Sequence, residues 1–63
     1  MRYTEIFYKT LKDNTEHVQN VYEEKGWESN YEQNVINQIE SIIDARGTSG
    51  EQLAVVTGIV QHK

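Results

Sequence analysis

The stretch 29–47, SNYEQNVINQIESIIDARG, limits the fold more than any other part of the chain. Val35, Ile36, Ile39, Ile42 and Ile43 recur at helical spacing and make one apolar face. Asn30, Asn34, Asn37, Ser41 and Asp44 recur on the opposite face. Ser29 stands where an N-cap belongs, and Glu32 three residues later completes a capping box. Gly47 after Arg46 supplies a stop signal. The pattern predicts an amphipathic helix whose isoleucines must lie against another element.

That other element is constrained by size. The chain has 63 residues, a single domain at 1–63. A domain this small buries only about 60% of the surface its unfolded chain exposes. There is no cysteine to staple it, so a well-packed core or a second copy must hold it together. Size alone therefore argues for self-association, with a homodimer as the first expectation.

The segment 2–12, RYTEIFYKTLK, reads two ways. Tyr3, Ile6, Phe7 and Leu11 fit a helix, while the β-branched and aromatic content fits a strand. Residues 14–25 read as helical, with Val18, Val21 and Tyr22 inward and Glu16, Asn20 and Glu23 outward. Asp13 with Glu16 repeats the capping-box pattern, and Gly26 ends the segment. The short connection Gly26-Trp27-Glu28 favours two antiparallel helices.

After Gly47 the chain continues TSGEQLAVVTGIVQHK. Leu53, Ala54, Val56 and Thr57 fit a short helix stopped at Gly58. Val55, Val56, Thr57, Ile59 and Val60 fit a strand, which would pair with residues 3–10 in a β-α-α-β unit. The run 46–54, RGTSGEQLA, followed by Gly58-Ile59, resembles the helix-turn of phage-repressor-type helix-turn-helix proteins. Those proteins place Leu-Ala in the first helix of the motif and a glycine at the turn, as Leu53, Ala54 and Gly58 stand here. The resemblance implies a short helix before Gly58, and DNA contact through Gln61, His62 and Lys63. It favours an all-α fold: a small helical hairpin, 14–25 and 29–46, with a short flanking third helix. The α+β alternative is β-α-α-β.

Catalytic chemistry finds little support. Gly47-Thr48-Ser49-Gly50 lacks the lysine of a phosphate-binding loop. Asp13 and His17 are spaced one helical turn apart, and only His62 could join them around a metal ion, so no metal site is expected. The pairs Glu23/Glu24 and Glu28/Glu32 read as solvated charge, because nothing in so small a chain builds a pocket around them. No catalytic residue and no cofactor is expected.

Charge and aromatic content point elsewhere. Net charge is −4, and residues 13–51 carry nine of the ten acids against Lys25 and Arg46. Such a region repels nucleic-acid phosphate and anionic membrane, and attracts a basic protein surface. No stretch approaches the about 20 apolar residues of a membrane span, and no signal peptide is evident. A cytoplasmic location, in the producing or host cell, is the expectation.

The richest candidate surface is 22–32, YEEKGWESNYE. Tyr22, Trp27 and Tyr31 alternate there with Glu23, Glu24, Glu28 and Glu32. Aromatic anchors rimmed by charge are what protein interfaces favour. The reading is a non-enzymatic acidic module that binds a protein partner, as a phage-type regulator or inhibitor would. The alternatives are a DNA-binding transcriptional regulator built on the partial helix-turn-helix, and a ligand-binding or catalytic site formed between subunits.

Overall fold

In YTEIFYKT the side chains alternate between Thr4, Ile6 and Tyr8 on one side and Tyr3, Glu5, Phe7 and Lys9 on the other. A pleated strand needs that period of two. A computed structural model describes residues Met1–Lys63 and makes this segment β1, Tyr3–Thr10, the central strand of a three-stranded antiparallel sheet. β2, Thr15–Tyr22, and β3, Ala54–His62, flank it in the order β2-β1-β3. A single 3₁₀ turn, Glu28–Asn30, leads into the one helix, α1, Tyr31–Ile43.

β1 and β2 form a hairpin, with Tyr3 opposite Tyr22 and Thr10 opposite Thr15. The reversal uses residues 11–14. Asp13 Oδ1 accepts the N–H of Thr15 at 3.1 Å, and Asn14 takes φ 59°. An aspartate closing its own turn and an asparagine in the left-handed region are ordinary hairpin chemistry. β2 and β3 both run antiparallel to β1, hence parallel to each other. That arrangement needs a long crossover, and residues 23–53, with α1 in their middle, provide it.

α1 buries Tyr31, Val35 and Ile42, with Ile39 partly covered, against the face that carries Ile6, Val21 and Ala54. Thr4 and Ile6 on β1 are fully buried. Complete burial of a side chain such as Ile6 is worth about 1.5–3 kcal/mol. The opposite face of the sheet has no covering layer. Val18, Tyr22, Val55 and Val60 are exposed on it or at its margins.

The all-α expectation is overturned, and with it the small helical protein. Residues 14–25 form β2 and a loop rather than a helix. The short third helix before Gly58 is replaced by β3. The β-α-α-β alternative placed strands at the two ends and paired them, as β1 and β3 pair, but its first helix is a strand. Val18 and Val21 explain why: three residues apart, they lie on one side of a helix but on opposite faces of a strand. In the sheet, Val21 enters the core opposite Thr4, and Val18 stands opposite Phe7 on the open face.

The helix at 29–46 is present but shorter. Its N-cap is Asn30 with no side-chain cap bond, so the Ser29–Glu32 capping box is not made. It ends at Ile43, with Asp44 donating to the Glu40 carbonyl at 2.8 Å. Gly47 serves the following loop instead, where its N–H reaches the Glu51 carbonyl at 2.8 Å. No helix is long and apolar enough to cross a membrane.

Candidate functional site

Two segments meet where β2 ends and α1 begins. Glu23 extends the hairpin by donating its N–H to the Arg2 carbonyl at 2.9 Å. The chain then turns through Gly26, which takes φ 91°. The Trp27 N–H donates to the Glu24 carbonyl at 2.9 Å, and the Asn30 N–H to the Trp27 carbonyl at 3.0 Å. This tight path hangs Trp27 beside the first two turns of α1. Between them lies a cleft of about 370 Å³, lined by Tyr22, Glu24, Trp27, Tyr31 and the amides Asn30, Gln33, Asn34 and Asn37.

The expected partner-binding residues divide into two groups. Tyr22, Glu24, Trp27 and Tyr31 come together around this cleft. Trp27 is 62% exposed and Tyr22 is also exposed, so aromatic surface faces solvent there. Tyr31 contributes only an edge. It is 4% exposed, and its hydroxyl bonds the buried hydroxyl of Thr4.

Three glutamates have other duties. Glu23 Oε2 accepts Arg2 Nε at 2.6 Å, and that bond raises the Arg2 pKa. The same guanidinium lies 4.5 Å from the centre of the Tyr31 ring, closing the end of the core. Glu28 accepts the Gly26 N–H on both carboxylate oxygens, at 3.0 and 3.1 Å, which holds its carboxyl below the usual range. Glu32 faces a second, smaller groove with Tyr31, Val35, Ile36 and Gln61.

The amide side of the cleft was not anticipated as part of a site. Asn30, Asn34 and Asn37 were legible as the polar face of the helix. What was missing was the position of Trp27 above that face. Gln33 Nε2 donates to Asn37 Oδ1 at 3.0 Å, so part of the amide row is already ordered. An exposed indole, a phenol, a free carboxylate and a row of amides can together hold a cationic, planar or hydrogen-bonding group.

Asp13 and His17, spaced for a shared metal on a helix, sit instead on the hairpin. Asp13 closes the turn, where Thr15 holds its carboxyl below the usual range. His17 stacks on Tyr8 at 5.0 Å. His62 stacks on Tyr3 at 4.4 Å and bonds Glu5 across the sheet. The two histidines therefore belong to different strands and different aromatic partners.

Comparison with protein-family models, with curated proteins and with solved structures finds no match to this chain.

Proposed function

We propose that the protein is a non-enzymatic interaction module whose cleft between Trp27 and α1 receives a lysine or arginine side chain from a basic protein partner. It works in the cytoplasm, where it regulates or inhibits that partner. The observation that carries it is the company of Trp27 and Tyr22, both exposed, with Glu24, whose carboxylate is engaged in no hydrogen bond or ion pair. A cation set over an exposed aromatic face gains about 0.5–1 kcal/mol, and more as it is desolvated. Glu24 adds a charge-assisted hydrogen bond, and the asparagine oxygens accept the remaining N–H groups. The overall charge of −4 favours approach of a basic surface.

The test uses Trp27, the sole tryptophan, as its own reporter. An arginine-containing peptide should change its fluorescence saturably, and a matched citrulline peptide should not. Glu24→Lys should abolish the response while the far-UV circular dichroism stays unchanged. Equal responses to arginine and citrulline peptides, or an undiminished response in Glu24→Lys, would overturn the assignment.

A further inference from the structure

β3 is an edge strand, paired to β1 on one side only. Such a strand offers a row of unpaired N–H and C=O groups that only another strand can satisfy, and proteins usually protect it with charge. β2, at the other edge, carries Glu16, which stands opposite Lys9, and the exposed His17. β3 carries no such guard: no Asp, Glu, Lys or Arg stands between Glu51 and Lys63. Its one irregularity is a bulge at Thr57, because Phe7 pairs with Gly58 and Tyr8 with Val56. The bulge leaves the run from Gly58 onward as a regular edge.

Between Gly58 and the polar end at Gln61 and His62, this edge presents apolar side chains on both faces. On the helix side, Ile59 is 48% exposed and Ile36 of α1 is 46% exposed, beside the groove formed with Gln61. On the open side, Val60 is exposed, and the space beside Gly58 is empty. The whole molecule also has surplus surface. Its accessible area is 4755 Å². A monomer of its 7.3 kDa mass exposes about 4,200 Å². The excess is about 550 Å², and a standard interface takes roughly 800 Å² from each partner.

We infer that the β3 edge is where a second copy of this chain docks, antiparallel, about a two-fold axis close to Ile59. In that register Ile59 faces Ile59 of the second copy, and Val60 lies across from the empty place at Gly58. Ile36 of each α1 then closes over the pair. The result is a six-stranded sheet with both helices on one face and Glu16 on its two outer edges. Because the same surface is used twice, the contact closes on itself and does not propagate. The Trp27 cleft is lined from β2 through α1 with no residue of β3, and it stays open in the pair.

Sedimentation equilibrium over a concentration series is the first test, and twice the chain mass is expected. Ile59→Lys brings two ammonium groups together at the axis. It should weaken association by about a hundredfold or more while circular dichroism is unchanged. Ile59→Cys, in a chain with no other cysteine, should form a disulfide dimer on mild oxidation, and Glu16→Cys should not. A monomer at millimolar concentration, a dimer that persists in Ile59→Lys, or crosslinking through Glu16→Cys in preference to Ile59→Cys would each overturn the inference.

Discussion

The phenol of Tyr31 and the hydroxyl of Thr4 meet in a buried contact between the helix and the central strand. Each satisfies the other where water does not reach, so removing one leaves the other unpaired. Tyr31→Phe should therefore cost about 1–3 kcal/mol in urea unfolding. The double variant Tyr31→Phe/Thr4→Val should recover much of that loss, since neither group is then left without a partner. A double variant no better than the single would show that the loss does not come from an unpaired Thr4 hydroxyl. Neither residue's role here was legible in the sequence. Tyr31 read as an interface aromatic, and Thr4 as one more β-branched residue in an ambiguous segment.

At the scale of elements, the hairpin turns on Asn14, whose φ of 59° lies in the left-handed region. A Cβ there costs up to about 1–2 kcal/mol, which asparagine offsets through its short polar side chain, alanine bears in full and glycine avoids. Asn14→Ala should lower stability by about that amount, and Asn14→Gly should hold it, both read from thermal melting. Equal loss in both variants would mean the turn depends on the asparagine side chain instead. This turn is also where the reading from sequence failed. Asp13, Asn14 and Thr15 serve equally well as helix caps and as hairpin residues, because in both cases a short polar side chain bonds a nearby backbone N–H. The helix α1 was legible because its apolar period persists over three turns. β1 and β3 were half legible as β-branched and aromatic runs. β2 was hidden, because Glu16, Gln19 and Asn20 carry no strand signal and only tertiary pairing with β1 decides the matter. The cleft was legible as aromatics near glutamates, but its amide wall needed the turn at Gly26 to bring Trp27 over the helix.

For the whole molecule, one helix cannot cover two faces and two edges. The radius of gyration is 13.0 Å, with extents of 40 × 19 × 12 Å. A compact chain of this length has a radius of about 10.6 Å. So elongated a body has a thin core, and only seven residues are buried. A domain of this size has roughly 3–9 kcal/mol of stability to lose. Ile6→Ala, at the fully buried centre of the sheet, should remove about 2–5 kcal/mol. It should leave the chain largely unfolded at low protein concentration, as judged by circular dichroism. A small loss would mean that the sheet is held mainly by its backbone ladder.

The order of the strands also has a consequence in time. β1 meets β2 across a short turn, but its other side must wait for β3, roughly fifty residues later in the chain. At ribosomal speed that wait lasts roughly 3–10 s. Until α1 emerges the newborn hairpin has no helix over Ile6, and until β3 follows it keeps an unsatisfied edge. The interval between synthesis of β1 and arrival of β3 is therefore when this chain is most open to chaperones, to proteases and to neighbouring nascent copies.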